Sequence, residues 1–199
     1  MKLQSDSLIG WFVVRTLLWL PLCFFMWHFM AATLTWPLAR LVEWCSTAIL
    51  PNAVDSIEQF GYTLNVVTRF AVQVPGVGQG VMTFDVNPLS YGYGMPLLTA
   101  LIAATPECGV QKWHHWGLGM LLLLLAQAWG VYFDILVHLS TMMGDGVLQR
   151  MGFSSLQLEG IALGYQFGYL MLPPLAPVVV WVFLCRSFIA TLVHCPAES

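Results

Sequence analysis

Charge is what this sequence has least of. Asp, Glu, Lys and Arg make up 9 % of its 199 residues, against about a quarter in soluble globular domains. With 58 % hydrophobic residues and a mean hydropathy of +0.75, that deficit points to a membrane protein before any segment is inspected. Basic residues are scarcer still, seven in all and in no run, and the net charge is −3. Nucleic acid, which demands a basic footprint, is argued against as a partner. No basic cluster in the sequence speaks for anionic lipid or phosphate either. Cysteine is sparse and odd in number: Cys23, Cys45, Cys108, Cys185 and Cys195 form no CxxC and no Cys/His module. Neither a disulfide framework nor a zinc site is signalled, and no cofactor is implied. Cys23 and Cys185, inside apolar runs, read as small buried hydrophobes.

What is present is four charge-free stretches: Thr16–Ala39, Val86–Pro106, Trp113–Phe133 and Gly160–Cys185. Each reaches the roughly 20 residues that a spanning helix needs. The fold class expected is therefore mainly α, a polytopic membrane protein with four transmembrane helices over about 11–36, 89–106, 113–139 and 156–192. "GWFVV" extends the first span past Arg15, whose long side chain can snorkel to the headgroups. A cleaved signal peptide would have a shorter apolar core and no Asp6 before it, so a retained anchor is expected. With the N-terminus inside, Lys2, Arg15, Lys112 and Arg186 fall on the cytoplasmic side and Arg40, Arg69 and Arg150 outside. That balance favours a cytoplasmic N-terminus.

An extended polar insert, 37–87, lies between the first two spans. "PLARLVEWCSTAIL" carries Leu38, Leu41, Val42, Trp44, Cys45, Ala48 and Ile49 on one helical face, with Arg40, Glu43 and Thr47 opposite, as an interfacial amphipathic helix would. In "YTLNVVTRFAVQ" the period becomes two: Tyr62, Leu64, Val66, Phe70 and Val72 face one way. "PGVGQG" supplies turn residues and "VMTFDV" resumes the alternation, which predicts an outer β-hairpin with one apolar face. A lone hairpin is marginal, so that face should rest on the mouth of the bundle. Pro173, Pro174 and Pro177 remove three amide donors from the last span and predict a kink or break there.

Polar residues gather at the outer end of this arrangement. "NPLSYGYG", residues 87–94, is an irregular entrance into the second span. Asp134 and His138 are four apart on one helical face and able to pair. Gln157, Glu159 and Tyr165 open the last span. Three chemistries fit these parts: a hydrolase with Ser90 as nucleophile, His138 as base and Asp134 orienting it; a metal site of Asp134, His138 and Glu159; or a proton or ion relay. Against the first, "LSYGYG" lacks the glycine that precedes serine in a nucleophile elbow. The plain alternative is an ion pair at the headgroup boundary, Asp134 bonding His138 or Arg150. His28 reads as a hydrogen-bonded core histidine, and His114 and His115 as inner-loop residues. "GYG" lacks the Thr-Val and pore helix of a potassium filter. Gly160, Gly164 and Gly168, at four-residue spacing, make a close-packing face within the bundle or toward a partner.

The order of parts resembles the exosortase and archaeosortase family, polytopic transpeptidases that process proteins bearing C-terminal sorting signals. "FDVNPLSYGYGMPLLTALIAATP" stands where that family has its nucleophile motif. "LLLLLAQAWGVYFDILVHL" is similar to the span that carries its arginine, and "LEGIALGYQFGYLMLPP" to the span that carries its histidine. The resemblance covers roughly residues 10–190 in pattern. The family's chemistry is absent: no cysteine lies between Cys45 and Cys108, no arginine between Arg69 and Arg150, and no histidine between His138 and His194. A thiolate is the competent nucleophile in such a motif, and Ser90 or Leu89 stands there instead. The chain thus most resembles the exosortase H-associated membrane proteins, companions of that enzyme. The resemblance implies a pseudoenzyme: a non-catalytic accessory subunit in protein sorting, docking an exosortase or the sorting-signal helix of its substrates. Asn87, Tyr91 and Tyr93 with the three glycines are then the interaction residues. Two alternatives stay open, a membrane serine hydrolase or transpeptidase using Ser90, His138 and Asp134, and a small channel or transporter subunit.

Overall fold

The computed structural model describes residues 2–74, 78–106, 110–142 and 151–193. Cys108 with its neighbours 107 and 109, Arg150, Cys195 and residues 75–77 of the "PGVGQG" turn lie outside the described residues.

Helix α1 runs without interruption from Lys2 to Ile49. At 1.5 Å per residue its 48 residues extend about 72 Å, far beyond the roughly 30 Å hydrocarbon core. The expected spanning helix and interfacial helix are therefore one element, joined through Pro37. Proline at that point costs one intrahelical hydrogen bond, and the buried neighbours Leu38, Ala39 and Val42 hold the helix together across it.

After α1 come three strands rather than two: β1 (Val54–Phe60), β2 (Thr63–Val74) and β3 (Gly78–Val86), antiparallel in the order β1-β2-β3. Phe60 pairs with Thr63, so Gly61 and Tyr62 form a two-residue turn. Gly61 has φ +63°, and the following Tyr62 does not, the pattern of a type II′ hairpin. Leu64, Val66, Thr68 and Phe70 of β2 face inward as the alternation predicts. Thr68 is tolerated in this row because its hydroxyl donates to the Met82 carbonyl at 2.7 Å. Arg69–Asp55 (3.0 Å) and Asn65–Asp85 (2.8 Å) lie across the outer face.

The sheet's inner face sits on the last third of α1 and on the end of α4 (Val110–Val137), where Val131, Ile135 and Leu139 are buried. Strand β1 runs back along α1: the Ile57 amide donates to Glu43 Oε1, and Gln59 Nε2 reaches the Ala32 carbonyl at 2.7 Å. The tip of the hairpin is thus level with Ala32, and exposed Phe60, Tyr62 and Trp36 surround it. From Arg15 to Trp36 is roughly 30 Å of helix, one hydrocarbon thickness. Aromatic residues at one limit and an arginine at the other are the anchors that such a depth calls for.

The chain then enters the bundle through a single turn, α2 (Leu89–Gly92), and α3 (Gly94–Ala104), of 11 residues. Helix α4 ends in a wider π-helical turn, His138–Met142. Helix α5 (Ser155–Gln166) starts on a capping box of Ser154 and Gln157 and passes through a second π turn, Phe167–Met171, into α6 (Leu172–Leu184). The expected break is this π turn, with Pro173 and Pro174 in the first turn of α6, where amide donors are dispensable. Cys185 ends α6 and α7 (Arg186–Val193) follows. Three helical stretches, Ile9–Ile49, Gln111–Thr141 and Ser155–Leu184, are long and apolar enough to cross a membrane, and Leu89–Ala104 is a shorter apolar helix.

Candidate functional site

Close approach of backbones brings the site residues together. A Cβ on Gly168 would fall 2.8 Å from the Gly130 Cα, and one on Gly164 would overlap the Phe133 ring. These two glycines of the α5–α6 segment are therefore filled by α4, and Trp129 Nε1 donates to the Gly164 carbonyl at 3.2 Å. Gly160 meets nothing within 4 Å. Only Gly160, of the three, leaves its face open.

The entrance is held the same way. Asn87 Oδ1 accepts from the Leu89 amide at 3.1 Å, which starts α2, and Tyr93 links α2 to α3. Gly94 lies against α6, where a Cβ would stand 2.8 Å from the Pro173 carbonyl oxygen. Pro177, four residues on, has no amide to give that oxygen, so the carbonyl freed by one proline meets the residue with no side chain. Gln127 was not singled out in the sequence. It is a buried amide in the middle of α4, and its Nε2 donates to the Pro88 carbonyl at 2.9 Å. A lone amide in "LLLLLAQAWG" is the signal that could have found it, because a buried amide in an apolar helix needs a partner.

Asp134 and His138 do touch. His138 Nδ1 lies 2.9 Å from the Asp134 carbonyl oxygen and 3.3 Å from Oδ1. A main-chain carbonyl oxygen only accepts, so in this bond Nδ1 carries the proton and donates. The imidazole stacks on Phe84 of β3, centroids 4.9 Å apart and planes 3° from parallel. Strand β3 thus roofs the pair. Buried Tyr91 sits over Gly130, with Asp134 and Tyr165 as neighbours. Tyr165 stacks on Tyr169, which meets Tyr91 edge-on. The result is a cluster of aromatic and polar side chains around Asp134, with Phe84 of the sheet against His138.

Two expected partners are not brought in. Ser90 is half-buried on α2, and its hydroxyl makes no hydrogen bond to His138 among the described residues. Glu159 is exposed on α5, and the described residues contain no group of three or more His, Cys, Asp or Glu able to hold a metal. The neighbour of Asp134 is Tyr91, a residue that the sequence marked for interaction rather than chemistry.

These features define a helical membrane protein whose polar cluster is covered by a small antiparallel sheet. The chain belongs to the exosortase H-associated membrane protein family, whose pattern matches residues 6–188. No curated protein and no solved structure matches it.

Proposed function

We propose that the chain is a non-catalytic accessory subunit of an exosortase-type protein-sorting system, docking the enzyme or the sorting-signal helix of its substrates. The observation that carries this reading is family membership across nearly the whole chain. Three features support it. No cysteine lies between Cys45 and Cys108, so the segment that resembles the nucleophile motif carries no thiol. His138 makes no hydrogen bond to Ser90 among the described residues, and its ring lies on Phe84. Asp134 is buried, and its carboxylate contacts His138 of the same helix.

The same reading takes the chain through the bacterial inner membrane four times with its N-terminus in the cytoplasm. Leu89–Ala104 is the second passage. Its 16 residues reach about 24 Å, somewhat less than the hydrocarbon core. A passage walled by protein tolerates that shortfall, since its polar entrance faces neighbouring helices instead of lipid.

Co-expression with the exosortase and purification in mild detergent test the proposal. The two proteins are expected to co-elute, and deletion of the accessory chain to impair processing of sorting-signal substrates. Failure to co-purify, with sorting intact in the deletion strain, would overturn it.

A further inference from the structure

The β1–β2 turn marks the point along α1 where the sheet stops. Glu43, Trp36, Ala32, Phe29 and Phe25 are spaced by seven, four, three and four residues, and so lie along one row of that helix. Strand β1 is tied to this row at Glu43, which accepts from the Ile57 amide, and at the Ala32 carbonyl, which accepts from Gln59 Nε2. Toward the N-terminus the row is bare: Phe29 and Phe25, ring centroids 4.6 Å apart, are 72 % and 62 % exposed. They belong to the apolar stretch Ile9–Ile49 of a chain whose family is one of membrane proteins. In that setting a bare aromatic row meets lipid.

The turn itself is built for such a level. Residues 59–63 carry no charge, and two of them, Phe60 and Tyr62, expose their rings. Gln59 Nε2, besides holding Ala32, donates to the Gly61 carbonyl at 2.6 Å, so one side-chain amide closes the turn and fastens it to α1. Glu58 and Asp85 flank Asn65 in the sheet, two residues behind the Phe60–Thr63 pair. The nearest charges of the sheet therefore stand about 7 Å back, at 3.3 Å per residue.

We infer that the β1–β2 turn is a membrane contact separate from the spanning helices: Phe60 and Tyr62 enter the headgroup layer beside Trp36 and seat the sheet on the bilayer. Depth decides for lipid. Ala32 is 17 residues from Arg15, about 26 Å of helix, so the turn reaches the edge of a hydrocarbon core roughly 30 Å thick. Rings with an apolar body and a wet edge prefer that level. With the rings there, Glu58 and Asp85 remain in water. The inference rests on membership of a membrane-protein family and not on the accessory role.

Fluorine NMR of the full chain in phosphatidylcholine nanodiscs, with trifluoromethyl-phenylalanine in place of Phe60, Tyr62 or Val81, tests this. Val81 is exposed and lies five residues from Val86, which pairs with Leu64 beside the turn, so it stands roughly 20 Å behind the turn. A lipid with a nitroxide high on its acyl chain is expected to erase the signals at 60 and 62 and to leave that at 81. A gadolinium chelate in the buffer is expected to erase the signal at 81 first as its concentration rises. Loss of all three signals at one chelate concentration would place the turn in water and overturn the inference. Signals at 60 and 62 that neither probe reaches would show that protein covers the turn, and would overturn it too.

Discussion

The two ends of α1 meet different surroundings. From Leu38 onward it is gripped by the sheet and α4, with Leu38, Ala39 and Val42 almost wholly buried. From Ile9 to Phe29 it presents Trp11, Leu17, Leu18, Leu22 and Phe25 outward. The apolar content of the two halves is similar, so hydrophobicity does not distinguish them. The difference lies in what surrounds the helix: packed protein at the sheet end, and at the other an exposed apolar surface of the kind a membrane would cover. Where protein surrounds it, a side chain fits one shape and truncation leaves a hole. Where lipid does, the solvent adapts.

The largest test of that contrast is a matched pair of truncations. Leu64→Ala, at a fully buried position of β2, is expected to destabilise the fold by about 2–5 kcal/mol. Leu17→Ala, on the exposed apolar side of α1, is expected to stay within about 0.5 kcal/mol. Denaturant unfolding in one detergent measures both, and equal effects would break the comparison.

Glycines sharpen it. Gly168→Ala drives a methyl into the Gly130 backbone and should cost about 1–3 kcal/mol. Gly160→Ala, which meets open space, should be neutral or slightly stabilising, since alanine favours helix by up to about 1 kcal/mol. If Gly160→Ala leaves stability untouched but weakens exosortase co-purification, that open face is part of the docking surface. A single hydrogen bond tests the end opposite the sheet: Trp181→Phe removes the 2.9 Å bond from Trp181 Nε1 to Thr105 Oγ1. About 1 kcal/mol is the scale for such a bond, read as a shift in melting temperature.

The sequence made the membrane class legible through its missing charge, and the β2–β3 hairpin through Leu64, Val66 and Phe70. Strand β1 escaped notice for a physical reason. "VDSIEQF" buries Val54 and Ile57, three residues apart, because its register with β2 shifts between Val54 and Ser56. A period-two search passes over such a pair. The continuity of α1 was hidden by Pro37, a local helix breaker that tertiary packing overrides. In the site, the Asp134/His138 contact follows from four-residue spacing alone. The contributions of Tyr91, Phe84 and Gln127 do not, because each comes from an element whose approach is set by Gly130, by the sheet register or by the Pro88 turn. Periodicity assigns a residue to a face, and it cannot say which face of another element will meet it.

The central claim is that this chain serves sorting without performing chemistry. Its most direct test is to replace the native chain with Ser90→Ala and follow the processing of sorting-signal substrates in cells. The account predicts processing equal to wild type, in a background where deletion of the whole chain impairs it. Loss of processing by the Ser90→Ala protein, folded and still co-purifying with the exosortase, would contradict it and assign the serine a catalytic part.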